Sequence, residues 1–218
     1  MCTVHEIRDL CNTLPIWAPQ RCFFWENLGC PILVGPHRKG RSMPNVPFIQ
    51  AVQSRAARIS VSASATRGNR AGVVAAGRSF LARLPLTKFA TSRPNVFHQR
   101  LDAATGDLSV SLPAGARSWG LARKLLNIFL RDALYTTYLA ETFKLRKAEA
   151  LLEIPLDSIT AGHLRKEAGG RKLPRWPGVK HLTPEVSESY QAFAAQFAAT
   201  KALAPVHLDT HWWGHRDL

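Results

Sequence analysis

The feature that most constrains the fold is a long helical pattern over residues 116–145, ARSWGLARKLLNIFLRDALYTTYLAETFKL. Apolar side chains recur there at intervals of three and four residues, and an α-helix with about 3.6 residues per turn places such positions on one face. The stripe consists of Trp119, Ala122, Leu126, Phe129 and Ala133, widened by Leu125 and Leu130. We therefore predict one long helix over residues 116–145 that is buried along one side.

Shorter segments from about residue 50 onward show the same period. PFIQAVQSRAARI and GNRAGVVAAGRSFLARL are rich in Ala, Leu and Arg, which favour helices. Thr183 and Pro184 are suited to an N-cap and a first turn, and the helix that follows directs four residues to the core, Tyr190, Phe193, Phe197 and Leu203. The alternating segment DLSVSL is either one strand or a loop, and a single strand builds no sheet. The predicted fold class is therefore mainly α.

Residues 1–50 differ from the rest of the chain. They contain all four cysteines, several prolines and the tract GPHRKGRSMPNVP, without a sustained period. We predict an irregular N-terminal extension over residues 1–50 and a helical domain over residues 51–218, with a native start near Met43 as a hypothesis. The cysteines form no C-x-x-C pair, so reduced, incidental thiols are a better interpretation than a zinc site with His5 or His37.

The charge of the chain points to a polyanionic partner. Lys and Arg number 29 against 15 Asp and Glu, which gives a net charge of +14 and an isoelectric point of about 10.4. These values are typical of nucleic-acid-binding domains, although basic charge also serves solubility or a membrane surface. No apolar run is long enough for a membrane span, and MCTVHEIRDL carries charges where a signal peptide is apolar. We expect a cytoplasmic, monomeric protein with no membrane partner.

Two groups of basic residues are candidates for phosphate contacts. Arg117, Lys124 and Arg131 follow each other at seven-residue steps, so they share one face of the predicted long helix. The tract GGRKLPRWPGVKH has prolines and glycines that fix a loop shape around Trp176, and its basic residues include Arg171, Lys172, Arg175 and Lys180. A solvated helix face and an exposed connector are the respective alternatives.

A lone acid, Asp157, follows the apolar approach LEIPL and precedes a short helix that runs to about Glu167. Asp is a preferred N-cap, because its side-chain oxygen accepts hydrogen bonds from the free N–H groups of the first turn. Helix capping is therefore the first interpretation of Asp157, and a chemical role is the second.

The terminal segment HLDTHWWGH contains two overlapping helical patterns. His207, His211 and His215 follow at four-residue steps, a spacing that suits zinc. Asp209 and Trp213 are also four residues apart, and an acid beside an indole forms a surface for a flat heterocycle with an exocyclic N–H. An aromatic-rich helix docked on the core is the third interpretation.

Three of these segments together resemble a known family. A long helix containing ARKLLNIFLRDALY, then IPLDSITAGHL and a terminal HLDTHWW, is similar to the helix-hairpin-helix superfamily of DNA glycosylases, nearest the archaeal 8-oxoguanine branch. The resemblance covers roughly residues 60–215, and its most specific element is the run Pro155, Leu156 and Asp157. It implies a helical glycosylase fold, no cofactor or metal, and double-stranded DNA carrying a modified base as the partner. No intact G-x-G hairpin is present, so strand binding would come from other basic elements.

The resemblance also implies roles for individual residues. Asp157 matches the family's catalytic aspartate, and a buried carboxylate there would stabilise a cationic sugar and orient the attacking water. Asp209 and Trp213 match the acid and the stacking tryptophan of the base pocket, with Arg117 and Leu121 as further substrate contacts. The implied DNA-binding residues are Arg131, Arg171, Lys172, Arg175, Trp176 and Lys180, with Trp176 as a wedge in the base stack or, alternatively, a core anchor.

One position departs from the family's pattern. Bifunctional members attack the sugar with a lysine near the start of the long helix, and matching KLLN places Arg117 at that position. Arginine stays protonated and forms no Schiff base. We therefore expect a monofunctional glycosylase that leaves an abasic site, with Lys124 positioning Asp157 or a phosphate.

The substrate base is the least constrained expectation. The chain is also similar to bacterial anti-phage glycosylases that excise α-glucosyl-5-hydroxymethylcytosine from phage DNA, and we expect this base and a role in anti-phage defence. An 8-oxoguanine repair glycosylase with AP lyase activity is the alternative. A non-catalytic helical DNA-binding module, in which Asp157 only caps, is the alternative of another class. A metal-dependent nuclease would need a carboxylate cluster that the sequence does not show.

Overall fold

The computed structural model describes residues 45–66, 68–69 and 71–213, and these residues form helices joined by turns, without a strand. The α-helices are α1 (Val46–Ser60), α2 (Val73–Ala82), α3 (Pro94–Ser111), α4 (Trp119–Tyr135), α5 (Thr137–Thr142), α6 (Ser158–Glu167), α7 (Pro184–Thr200) and α8 (Leu208–Trp213). The 3-10 helices are Leu86–Phe89, Ala114–Ala116, Leu145–Leu151, Val179–His181 and Pro205–His207. The predicted mainly α class is confirmed for this part of the chain. Among its helices, none combines the length and the apolar character needed to cross a bilayer.

The helical domain begins inside the predicted extension. The Asn45 side chain accepts a hydrogen bond from the Phe48 N–H (3.0 Å), and Pro47 occupies the first turn of α1. Asn and Pro are typical of loops as well as of helix starts, which is why this tract resembled a loop. The predicted boundary is therefore wrong for residues 46–50. The rest of the expected extension, including the cysteines and Met43, lies outside the described residues.

The alternating segment DLSVSL is helical. It forms the last turns of α3, where Leu108 is buried and Val110 is exposed. Leu101, Thr105 and Leu108 are spaced by four and three residues and are all fully buried, so the segment continues a helical stripe. The alternation of apolar and polar residues in this segment covers only six residues, whereas the helical period of the buried residues extends along α3. The interpretation of DLSVSL as a strand or loop is therefore wrong.

The long helical segment is divided at Thr136. α4 ends at Tyr135, and Thr136 has an extended backbone (φ −85°, ψ 105°) before α5 begins. The Thr136 hydroxyl donates a hydrogen bond to the Asp132 carbonyl at 2.7 Å, and side-chain bonds of this kind compete with helix continuation. The single helix over residues 116–145 is therefore wrong in extent. The predicted stripe is buried throughout, except at the half-buried Trp119.

The described helices pack into two apolar cores. The first contains residues of α1 to α5 and of the Leu145–Leu151 turn, with Phe97 and Phe129 fully buried. The second contains residues of α6, α7 and α8 and of the extended segment before α6, around Tyr190 and Trp212. The first turn of α4 also contacts the second core through Trp119. α4 is therefore the element that the two cores share.

Gly120 allows α4 to approach the Val179–His181 turn closely. A Cβ atom at this position would lie 2.2 Å from the Val179 carbonyl oxygen and 2.6 Å from the Leu182 Cβ. A backbone oxygen and a Cβ cannot move out of the way without moving the main chain, so only glycine permits this contact. The contact fixes the loop between α6 and α7 against α4.

Candidate active site

An open cleft of about 810 Å³ is lined by residues of both cores. Its floor is one side of α4, with Leu121, Lys124, Ile128 and Arg131. One wall comes from the end of α1 and the turn after it, with Ile59, Ser60, Ser62, Ser64, Ala65 and Asn69. The other wall comes from the start of α6, the loop after α6 and α8, with Pro155, Asp157, Ser158, Ile159, Trp176, Gly178, Val179 and Asp209.

Asp157 caps α6, as the first interpretation of this acid predicts. Its Oδ1 accepts hydrogen bonds from the N–H groups of Ile159 (2.9 Å) and Thr160 (3.0 Å). The Thr160 hydroxyl in turn accepts the Asp157 N–H at 2.8 Å and donates to the Pro155 carbonyl at 2.9 Å. This capping box holds the carboxylate in one orientation and leaves the other oxygen, Oδ2, outside the cap.

Lys124 meets the second oxygen of Asp157. The Lys124 Nζ lies 3.5 Å from Asp157 Oδ2 and donates a hydrogen bond to the Ala65 carbonyl at 3.4 Å. The Lys124 side chain is 12% exposed and the Asp157 side chain 31% exposed. The cation on the cleft floor therefore contacts both walls. The two residues that we predicted as catalytic lie together in one cleft.

Arg131 is occupied by two carboxylates rather than free for phosphate. Its Nη2 lies 2.9 Å from Asp132 Oδ1, and its Nη1 pairs with the buried Asp209. The Ser60 hydroxyl donates to Asp132 Oδ2 at 2.7 Å and completes the network. The charge of Arg131 is therefore already balanced inside the cleft, and its role in DNA binding stays a prediction. Asp209 lines the cleft as expected of a substrate contact.

Arg117 does not line the cleft. It precedes Ser118, whose side chain caps α4 by accepting the Leu121 N–H at 3.1 Å, so Arg117 lies before the helix and outside its register. Its Nε donates a hydrogen bond to the Leu112 carbonyl at 3.2 Å. The predicted common face of Arg117, Lys124 and Arg131 is therefore wrong at its first member. The substrate contact of Arg117 stays a prediction.

Leu121 and Trp176 both line the cleft and belong to its packed surface. Leu121 is buried, and Trp176 is half-buried with its ring edge-on to Tyr190, 5.6 Å between centroids. Burial raises the pKa of the Tyr190 phenol, which donates a hydrogen bond to the Pro174 carbonyl at 2.8 Å. Trp176 therefore packs against the second core, which agrees with the alternative of a core anchor, and its role as a wedge stays a prediction. The Trp213 side chain lies outside the described residues.

The basic loop borders the cleft. Trp176, Gly178 and Val179 line the cleft, and they alternate along the chain with exposed residues. The predicted phosphate contacts of this loop are all exposed, namely Arg171, Lys172, Arg175 and Lys180. Within the described part of the chain, none of these four side chains is paired with an acid. Their charge is therefore accessible, and Arg175 and Lys180 are next in sequence to residues that line the cleft.

Sequence reasoning missed the polar wall of the cleft. Ser62 and Ser64 lie in the turn after α1, with their hydroxyl oxygens 2.8 Å apart, and Asn69 follows in the same connection. Ser60 and Asp132 extend this wall toward Arg131. The serine-rich run VSASAT was the available signal, because Ser-rich turns between helices are frequent sites of side-chain hydrogen bonding.

Of the three histidines in the row at the chain's end, His207 and His211 lie within the described residues. His207 uses both ring nitrogens within the protein, Nδ1 with the Tyr135 hydroxyl (2.8 Å) and Nε2 with Glu149 Oε1 (2.9 Å). Across the described residues, no group of three or more His, Cys, Asp and Glu side chains is placed to hold a metal ion. His215 lies outside those residues. His207 instead fastens the start of α8 to α4.

Comparisons of the chain with protein-family models, with curated proteins and with solved structures found no match. The resemblance to DNA glycosylases thus rests on the residue patterns alone. The function has to be argued from the cleft, its charges and the surface around it.

Proposed function

We propose that this chain is a DNA glycosylase that excises a modified base and leaves an abasic site, with the helical glycosylase-like fold that its sequence patterns imply. The observation that carries the proposal is the Asp157–Lys124 pair, which lies in a cleft bordered by an exposed basic loop. Asp157 has one oxygen fixed by the helix cap and one directed at the cation in the cleft. A carboxylate held in this way is preorganised for a positive charge that develops beside it.

The proposed reaction is hydrolysis of the N-glycosidic bond. As the bond between the base and C1′ breaks, the base leaves with the electron pair and positive charge develops on the sugar. Asp157 Oδ2 stabilises that charge and orients a water molecule, whose oxygen bonds to C1′ while its proton passes on to the departing base. Lys124 holds the carboxylate in place. Every group in this step belongs to the protein, the DNA or water, so no cofactor or metal is required.

The loop around Trp176 supplies the grip on the strand. Arg171, Lys172, Arg175 and Lys180 are all exposed, and Arg175 and Lys180 are next in sequence to residues that line the cleft. Salt-sensitive phosphate contacts of such residues supply much of the affinity of DNA-binding proteins. Because the loop is fixed to α4 through Gly120 and to Tyr190 through Trp176, its charges keep a set position relative to Asp157. A flipped nucleotide would therefore have its backbone held while its base enters the cleft.

The polar wall favours a base that carries hydroxyl groups. Ser60, Ser62, Ser64, Asn69 and Asp132 offer hydroxyl, amide and carboxylate groups on the side of the cleft opposite Asp157. A glucosyl group can form hydrogen bonds with such a wall through its several hydroxyl groups, whereas 8-oxoguanine offers only the donors and acceptors of its ring system. The cleft volume of about 810 Å³ is in the upper part of the range for small-molecule sites. We therefore propose α-glucosyl-5-hydroxymethylcytosine of phage DNA as the substrate and anti-phage defence as the role.

A second candidate activity is AP lyase chemistry after base removal. The Lys124 Nζ lies 3.5 Å from Asp157 Oδ2, within the same cleft, which is the observation that favours it. A lysine amine in this position would bond to C1′, displace the base and form a Schiff base that leads to strand cleavage. Borohydride trapping of a protein–DNA adduct that is absent in Lys124→Ala would establish the lyase and overturn the monofunctional assignment.

The deciding experiment measures free base and alkali-labile abasic sites. Purified protein, with and without EDTA, is incubated with glucosylated phage DNA, matched unmodified phage DNA and an 8-oxoguanine duplex. We expect base release from the glucosylated DNA alone, unaffected by EDTA. Asp157→Asn should lower the rate at least about a hundredfold, because the charge is lost.

Asp157→Asn is a matched variant, because Asn caps helices about as well as Asp and should keep stability within about 0.5 kcal/mol. Tight DNA binding without base release from any of the three DNAs would move the assignment to a non-catalytic DNA-binding module. Base release that persists in Asp157→Asn would remove Asp157 from the mechanism.

A further inference from the structure

Two exposed isoleucines lie on the cleft. Among the described residues, six large apolar side chains are exposed, and two of them, Ile59 (60% exposed) and Ile159 (43% exposed), line the same cleft. A single exposed apolar side chain needs no explanation. Ile59 and Ile159 both line the cleft that holds Asp157, so the surface of this cleft carries two exposed apolar side chains.

The two isoleucines belong to opposite walls. Ile59 lies in the last turn of α1, whereas Ile159 lies in the first turn of α6, two residues after Asp157. Lys124 stands between these walls, because its Nζ contacts the Ala65 carbonyl on one side and Asp157 on the other. The two isoleucines therefore line the cleft of the Lys124–Asp157 pair from two different helices.

Both side chains are suited to enter a base stack. Isoleucine is apolar and, being β-branched, has restricted χ1 rotation, so little side-chain freedom is lost when it is inserted. The main chain of Ile159 is fixed as well, since its N–H donates to Asp157 Oδ1 at 2.9 Å. DNA-binding proteins that unstack bases use apolar side chains of this type, including isoleucine, as wedges.

We propose that Ile59 and Ile159 are the wedge that fills the duplex when the target nucleotide leaves the stack. The proposal rests on the proposed base excision, and it assigns the wedge to side chains that are more exposed than Trp176, which packs against Tyr190. Extrusion of a base costs a few kcal/mol of lost pairing and stacking, and apolar contact with the exposed neighbouring bases offsets part of that cost. Ile159 and Asp157 are two residues apart at the start of α6, so this part of the wedge and the carboxylate act on the same nucleotide.

The test measures base unstacking separately from base release. The probes are duplexes that carry 2-aminopurine as the 3′ neighbour of one α-glucosyl-5-hydroxymethylcytosine or one 8-oxoguanine, and the protein is Asp157→Asn, so that the base is retained. We expect binding to raise the fluorescence with at least one duplex. Adding Ile59→Ala and Ile159→Ala together should reduce that rise at least about fivefold, because the extruded state loses its stabilising contact and the target base returns to the stack.

Val110→Ala is the control, because Val110 is equally apolar and exposed but lies on α3, away from the cleft. It should leave the fluorescence rise unchanged, and thermal unfolding should show all variants folded. In proteins with Asp157 intact, the double isoleucine change should lower the ratio of duplex to single-strand base release about tenfold or more, since a single strand needs no extrusion.

The outcomes separate the wedge from the proposed function. A fluorescence rise that survives the double isoleucine change, or no rise with either duplex, would overturn the wedge even if base release is observed. A rise that depends on the isoleucines, without base release by the native protein, would support the wedge and overturn the glycosylase.

Discussion

Arg123 and Lys124 follow each other in α4, and each contacts a carboxylate from the segment that leads into α6. Arg123 binds Glu153 through two parallel hydrogen bonds of 2.8 Å, and Asn127 donates to the same carboxylate at 2.9 Å. Lys124 approaches Asp157 only to 3.5 Å. The side chains of the first pair are 7% and 9% exposed, and those of the second pair 12% and 31%.

The difference separates a structural pair from a functional one. Arg123 also donates to Asp102 (2.8 Å) and Thr105 (3.0 Å), so all three guanidinium nitrogens are hydrogen-bonded. Burial disfavours the charge of Arg123, but the charges and hydrogen bonds of Glu153 and Asp102 outweigh the burial and raise its pKa. These contacts use four of the five N–H donors of the Arg123 side chain, so the pair is committed to contacts within the protein. The looser Lys124–Asp157 pair, open to a cleft, keeps donors and an oxygen that a substrate can reach.

The largest effect on stability should come from breaking the buried pair. Glu153→Gln removes the charge that balances Arg123 and should lower the free energy of unfolding by about 3–5 kcal/mol, measured by urea denaturation. Glu188→Gln is the control, because Glu188 is exposed and lines the same cavity of about 470 Å³ beside Arg123. A loss below about 1 kcal/mol in Glu153→Gln would contradict the structural assignment, since exposed pairs contribute that little.

Gly120→Ala should have the next largest effect, because it separates α4 from the loop that borders the cleft. The added Cβ would meet the Val179 carbonyl at 2.2 Å, and overpacking of this kind costs about 1–3 kcal/mol. Base release should fall with it, since the basic loop shifts. Gly106→Ala in α3 is the matched change, as its Cβ meets nothing within 4 Å and should stabilise the helix by about 0.5–1 kcal/mol. Equal stability of Gly120→Ala and the native protein would disprove the close contact.

The sequence predicted the local features of this comparison well. The cap of Asp157 depends on residues within one turn, and the buried stripe of α4 depends on a period within one helix, so both could be inferred from short patterns. The spacing of Arg117, Lys124 and Arg131 misled at Arg117, because the cap at Ser118 starts the helix too late to include it.

Features that depend on distant segments could not be inferred in this way. Three contacts join segments that are far apart in the sequence and meet only when the helices pack. They are the contacts of Arg131 with Asp209, of Ser60 with Asp132 and of Arg123 with Glu153. Spacing along the chain carries no information about such partners. The close approach of α4 and the Val179–His181 turn at Gly120 could not be predicted from the sequence either, because a glycine inside a helix indicates only a lower helix propensity.

The smallest effect on stability should come from Lys124→Met, and this change tests the functional half of the comparison. Methionine keeps much of the apolar stem and removes the charge, so the free energy of unfolding should change by less than about 1 kcal/mol. Base release should fall roughly ten- to hundredfold, because Asp157 loses the contact that positions it. Lys124→Arg separates the two chemical roles, since arginine restores a cation beside Asp157 but forms no Schiff base. Recovery of base release in Lys124→Arg would support a role of Lys124 in positioning Asp157. If base release is abolished equally in both variants and borohydride traps only the native protein, Lys124 is the nucleophile.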